Sequence, residues 1–207
     1  MIVVIKNYKK DKNCFWSARS IRHLFPSMPI YLFSFSPVDP YYKGVYTDTI
    51  EYETKYPGSG NGIMTLRNGL YFGEGINEIF KYFINYAPDE KLLILDEDSF
   101  FLTGEVIREL LENDFALGWC NWILPDGSQG VGAQTICIVP SRVREYVPIP
   151  EREEFIESVL RDELLNKLPK KECYQITNRN HTNYFGDGFF TRSADEIRTV
   201  LQANGFI

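Results

Sequence analysis

Short apolar runs alternate with longer amphipathic stretches along most of this chain. The first run, Ile2 to Ile5, leads into a helical pattern carried by Phe15, Ala18, Ile21, Leu24 and Phe25 and closed by Pro26. "PIYLFSF" reads as a second strand, and "GVYTDTIEYE" alternates with period two like a third. Beyond the glycine-rich "YPGSGNG", Leu66, Leu70, Ile76, Ile79, Phe80 and Phe83 recur near helical spacing across residues 63–86. Gly69, Gly73 and Gly75 weaken the middle of that stretch, which predicts two helices or one kinked helix. A strand "LLIL", a helix "GEVIRELLEN" and two more strands, "FALGWCNWIL" and "QTICIVP", come next, the last two separated by the glycine-rich "PDGSQGVGA". A charged helix over residues 151–168 and a final helix opened by a Ser193/Glu196 capping box complete the order. Strands alternating with helices predict a mostly parallel sheet covered on both faces, in one α/β domain over residues 1–207. Whether that domain is a piece of a longer polypeptide is left open.

Composition narrows the function. The formal charge of -6 and pI near 5.1 speak against a general nucleic-acid binder, whose footprint is a basic face. No apolar run approaches the roughly 20 residues of a membrane span. In "MIVVIKNYKK" the apolar segment precedes the charges, the reverse of a signal peptide. Cys14, Cys120, Cys137 and Cys173 are widely spaced, which predicts reduced core thiols in an intracellular, cytoplasmic setting rather than a zinc or redox motif.

The candidate chemistry is concentrated in "KLLILDEDSFFLTGE". Four apolar residues run straight into Asp96, Glu97 and Asp98. Like charges so close repel, and burial raises the cost; a cation or exposure at a turn would resolve the conflict. In a parallel sheet, ligands gather at the carboxyl ends of strands. Alternate carboxylates of an extended segment can face one side, which would let Asp96 and Asp98 share a site while Glu97 turns away. Mg2+ and Mn2+ suit such a site, since they take one or two carboxylates and complete their shell with water and phosphates. A calcium loop is excluded because Phe100 and Phe101 stand where an oxygen ligand and a glycine are needed. A phosphohydrolase with an aspartyl nucleophile remains an alternative, although such enzymes carry the motif on their first strand.

"GNGIMTLRNGLYFGEG" ahead of "LLILDED" resembles the segment that precedes the DxD strand in nucleotide-sugar glycosyltransferases of the GT-A fold. The order matches over about the first two thirds of the chain: "VIKNY", then Arg67 and Asn68, then Asp96-x-Asp98, then "GVGAQTICIV". The compact size is also similar to transferase domains encoded by large algal (chlorella) viruses. The resemblance implies a Rossmann-like GT-A sheet and transfer of a hexose or deoxyhexose from a UDP-sugar to a glycan or other hydroxyl acceptor. It implies that Asp98 holds Mn2+ or Mg2+ and that Asp96 contacts the ribose or the metal. Arg67 and Asn68 would lie near the nucleotide, Lys6, Asn7 and Tyr8 would border the uracil, and Gln134 would face the donor sugar. A surface salt bridge for Arg67 and an ordinary strand end for Lys6 to Tyr8 are the competing readings. A module that holds a nucleotide-sugar without turnover is the alternative outside enzymes.

In the tail, "NRNHTNYFGDGFF" offers His181 as a further metal ligand and Asp187 as the base that deprotonates an acceptor hydroxyl. An exposed histidine and a turn aspartate between glycines compete with those roles. Asp126 is a weaker rival base. Trp119 and Trp122 could floor a sugar site, though core packing is the favoured reading, and His23 reads as structural.

Overall fold

In a computed structural model, the chain forms a mixed seven-stranded sheet with helices on both faces. The structure describes residues 1–56, 68–123, 129–148, 156–176 and 193–207; for 68–72, 121–123, 129–134 and 156–157 this means the backbone. In chain order the elements are β1 (Ile2–Asn7), α1 (Asp11–Leu24), β2 (Ile30–Ser34), α2 (Pro40–Lys43), β3 (Asp48–Glu51), α3 (Asn68–Tyr86) and β4 (Leu92–Leu95). They continue with α4 (Glu105–Glu112), β5 (Leu117–Ile123), β6 (Gln129–Ile138), α5 (Pro140–Val143), α6 (Ile156–Lys167), β7 (Cys173–Gln175) and α7 (Ala194–Ala203). The strand order is β3-β2-β1-β4-β6-β5-β7. β1 to β4 run parallel, β6 lies antiparallel between β4 and β5, and β7 pairs in parallel with β5.

β1, β2 and β4 are buried along their whole length, as continuous apolar runs in a covered parallel sheet should be. Their side chains alternate between two cores. Val4, Phe33 and Ile94 pack with Ile76, Ile79 and Phe83 of α3 on one face. Val3, Ile5, Leu32 and Leu95 pack with Cys14, Ala18 and Ile21 of α1 on the other.

Several expectations change in the structure. Over 68–86 the α3 pattern is one helix despite its glycines, because its apolar stripe is fixed against the sheet. Most of the glycine-rich "PDGSQGVGA" is strand: pairing of Asn121 with Ala133 and of Ile123 with Gln129 carries β6 back to Gln129, with register shifts beside Asn121. The antiparallel ladder overrides weak propensity there. β3 is shorter than its alternation suggests, and the three-residue β7 was not foreseen. The Ser193/Glu196 capping box is present: Ser193 N donates to Glu196 Oε2 at 2.6 Å, and Glu196 N donates to Ser193 Oγ at 3.3 Å. His23 stacks on Phe206 at 4.2 Å, the structural role expected of it.

α1 also anchors the chain that leaves β4. Ser17 Oγ donates to the Ser99 carbonyl, and Ser20 Oγ accepts from Phe101 N at 3.1 Å while donating to the Ser17 carbonyl at 2.7 Å. Phe100 and Phe101 then bury into two different clusters. Ser20→Ala would leave the buried Phe101 N–H without its acceptor, so urea unfolding should show a loss of about 1–3 kcal/mol; a loss under about 0.5 kcal/mol would refute this anchoring role.

Candidate active site

The chain leaves β1 for β2 on one side and returns from β3 to β4 on the other. The carboxyl ends of β1 and β4 therefore flank a topological switch point, where open α/β sheets bind ligands. Lys6, Asn7 and Tyr8 lie at one rim of this crevice and Asp96 to Asp98 at the other. Of the residues singled out in the sequence, these are the ones the described structure brings together.

The pleat ends at Leu95. Glu97 and Asp98 form a turn closed by Ser99 N donating to the Asp96 carbonyl at 3.1 Å, so the turn, rather than strand alternation, sorts the carboxylates. Lys6 Nζ lies 2.8 Å from Asp96 Oδ1, an ion contact whose alignment falls short of a hydrogen bond. Glu97 is buried with its Oε1 3.0 Å from Lys10 Nζ. Asp98 keeps some surface exposure, and among the described residues none forms an ion pair with it. Its enclosure in the turn, followed by the charges of Glu97 and Asp96, pushes its carboxyl up to about 7. Burial also raises Glu97, with Lys10 pulling the other way.

The rim on β1 is held from within. Asn7 Nδ2 donates to Asp11 Oδ1 at 2.7 Å and to Ser34 Oγ at 3.1 Å, and its Oδ1 accepts from Lys10 N at 2.8 Å. Asn7 thereby shapes the turn in which Lys9 adopts a positive φ of 64°. Lys6 is likewise buried rather than presented at the surface. Tyr8 packs on Phe35 with centroids 5.8 Å apart. A Cβ at Gly75 would lie 3.2 Å from the Tyr8 hydroxyl oxygen and 3.1 Å from that of Tyr52, so glycine permits both rings to close over α3. Beside it, buried Glu74 accepts from Thr54 Oγ1 at 2.5 Å and from Lys55 N at 2.8 Å, pinning the segment after β3 to the same helix.

Lys10, Glu74 and Tyr52 were not singled out in the sequence. Charge balance offered a signal for Lys10, since three adjacent carboxylates call for cations and "KNYKK" ends the first strand. Asn68 opens α3 and Gln134 lies on β6, with their side chains outside the described residues; Arg67, Asp126, His181 and Asp187 lie outside them altogether. Trp119 is half-buried against the core, in line with the packing reading; the side chain of Trp122 is not among those described.

The acidic turn suits a divalent cation in part. Among the described residues Asp98 is a crowded carboxylate that forms no ion pair, though the charge of Lys10 reaches it, and Mg2+ or Mn2+ satisfies such a group. Among those same residues no group of three or more His, Cys, Asp or Glu is arranged around a metal position. Water, a diphosphate or residues beyond those described would have to complete an octahedral shell.

No known family profile matches the sequence, and no curated protein sequence matches it. Solved structures do match. An active-site mutant of LgtC, a galactosyltransferase, aligns over 98% of this chain and 96% of its own at TM-score 0.50 and 12% identity. A candidate nucleotide-diphospho-sugar transferase from Desulfovibrio desulfuricans aligns over 98% and 95% at TM-score 0.51 and 10% identity. The fold is of the GT-A type. A cytidylyltransferase from Leptospira borgpetersenii shares it, over 98% of this chain and 93% of its own, at TM-score 0.53 and 8% identity. At such identities the likeness establishes the architecture alone.

The raised Asp98 carboxyl has a consequence for stability. The folded chain holds that proton more tightly than the unfolded chain, so this group's contribution is full below about pH 4 and is lost as pH rises through about 7. Asp98→Asn removes the titration. In metal-free buffer, urea unfolding should show the variant gaining about 1–2 kcal/mol on its parent between pH 5 and pH 8. A difference between the two proteins that does not change with pH would refute the assignment.

Proposed function

We propose that this chain is a glycosyltransferase that binds a UDP-sugar with a divalent cation at the crevice between β1 and β4. The observation that carries the reading is Asp98, a carboxylate that forms no ion pair among the described residues, in an acidic turn at the switch point of a GT-A sheet. Asp98 would hold Mn2+ or Mg2+, while Asp96, with about a third of its side chain exposed, would turn toward the ribose. Tyr8, backed by Phe35, would border the uracil. Arg67 and Asn68 would approach the nucleotide, Gln134 the donor sugar, and His181 the cation.

Breaking a sugar–diphosphate bond places negative charge on the leaving phosphates and positive character on the anomeric carbon. A bound divalent cation would supply Lewis-acid stabilisation of the leaving diphosphate. Arg67 would donate charge-assisted hydrogen bonds to a phosphate oxygen. Asp187 would take the proton of the acceptor hydroxyl as its oxygen bonds to the anomeric carbon. None of these roles requires a covalent intermediate.

The fold also serves a cytidylyltransferase, so the assay must read the product. With Mn2+ and a panel of UDP-sugars, transfer or slow hydrolysis releases UDP. Pyrophosphate release from a nucleotide triphosphate and a sugar phosphate would point to nucleotidyl transfer. Inorganic phosphate from phosphomonoesters would favour the hydrolase alternative, and tight binding without product a non-catalytic module. Asp98→Ala should weaken Mn2+-assisted UDP binding at least about tenfold while the circular dichroism spectrum is kept. Unchanged affinity by calorimetry would sink the metal role. Arg67→Ala should weaken UDP more than uridine; equal losses would refute a phosphate partner.

A further inference from the structure

We infer that Lys6 and Lys10 reserve two of the three adjacent carboxylates, so that the unliganded protein does not take up a free divalent cation and accepts it only together with a diphosphate. The inference rests on the donor reading above. Asp96, Glu97 and Asp98 bring three negative charges to one turn. Lys6 is almost fully buried at the end of β1, with its ammonium 2.8 Å from Asp96; Lys10, the residue that caps α1, lies 3.0 Å from buried Glu97. Lys6 lies near the end of β1 and Lys10 closes the connection that follows it, which the Asn7 hydrogen bonds to Asp11, Ser34 and the Lys10 backbone hold in shape.

The arithmetic of charge then decides what the turn can bind. A cation that sought Asp96 as a ligand would approach a buried ammonium, and a buried ion parted from its partner is costly. Glu97 faces inward and is compensated already. Of the three carboxylates only Asp98 remains, with His181 as a further ligand on the donor reading, and so few protein ligands hold Mg2+ or Mn2+ poorly, because these ions lose their water reluctantly and gain most from phosphate oxygens. The diphosphate thus supplies what the lysines withhold. Lys6 and Lys10 act as positioning residues, setting the order in which the ligands can assemble.

The test reads binding, not turnover. Titration of the protein with Mn2+ alone, followed by the electron paramagnetic resonance signal of the free ion, should show affinity no better than millimolar. UDP should improve it at least about tenfold, as linkage requires when each ligand completes the other's site. Lys6→Met frees Asp96 and should create binding of Mn2+ alone, tighter than the parent by about tenfold or more; adding Asp96→Asn should abolish that gain, and Lys6→Arg should behave like the parent. Should Lys6→Met fail to fold, Lys10→Gln, at a half-exposed lysine, frees Glu97 and should give a gain in the same direction. Tight binding of Mn2+ alone by the parent, or folded Lys6→Met with the parent's affinity, overturns the inference. A parent that binds no UDP even with Mn2+ would count against the donor reading, whereas the gain of Mn2+ binding in Lys6→Met would still uphold the roles of the lysines.

Discussion

β1 and β4 meet where the sheet reverses its direction of winding, and the Lys6–Asp96 contact joins their ends across that seam. The carboxyl end of a parallel sheet has few ways to tolerate three consecutive carboxylates. Here the solution is local: the end of β1 and the connection that follows it carry cations to the turn that follows β4. Because β1 is buried on both faces and paired on both edges, those cations arrive on a rigid support. The position of Asp98 depends on that support.

The supports around the crevice repeat one device, a polar group on a helix that captures the chain leaving a strand. Ser17 and Ser20 of α1 hold the segment after β4, and Glu74 of α3 holds the segment after β3. In each case the helix is fixed by its apolar face, so the cores on the two sides of the sheet set the geometry of the rim. Gly75 contributes by absence, since its missing Cβ leaves room for the Tyr8 and Tyr52 hydroxyls. The rim is therefore well supported, yet among the described residues Asp98 is left without an ion pair. Instability confined to a ligand-facing group is what a binding site tolerates when occupancy restores the balance.

How legible this was in the sequence depended on whether a feature was local. The apolar runs Ile2–Ile5 and Leu92–Leu95 announced buried parallel strands, and Ser193 with Glu196 announced a helix start, because each signal is complete within a few residues. The acidic triplet was equally visible, and the turn it occupies follows directly from the strand before it. Features that depend on a distant partner were missed or misread. Residues 129–133 became strand because β5 pairs with them, and β7 exists because β5 offers an edge. Lys10 was not singled out, because its partner Glu97 lies 87 positions away and only the fold sets the two together. Asn7 was singled out as a ligand contact, and its hydrogen bonds to Asp11, Ser34 and Lys10 give it a turn-shaping role the sequence did not announce.

That a galactosyltransferase and a cytidylyltransferase share this architecture locates the decisive chemistry away from the sheet itself. A switch-point crevice with a cation-seeking carboxylate suits any nucleotide whose phosphates carry a divalent ion. It does not specify which bond to phosphorus or carbon is broken. That choice depends on what lies on the far side of the reacting atom, and the groups proposed for it here, Gln134 and Asp187, come from the half of the sequence beyond β4. On the reading proposed above, the first half of the fold would build a place for a charged nucleotide, with Lys6 and Lys10 withholding part of the charge so that an ion enters in company with phosphate. The second half would then have to supply the group that turns a held donor into a reacting one, and a pocket built in this way would gain catalysis by changing few residues after β4 while the β1–β4 seam stayed constant.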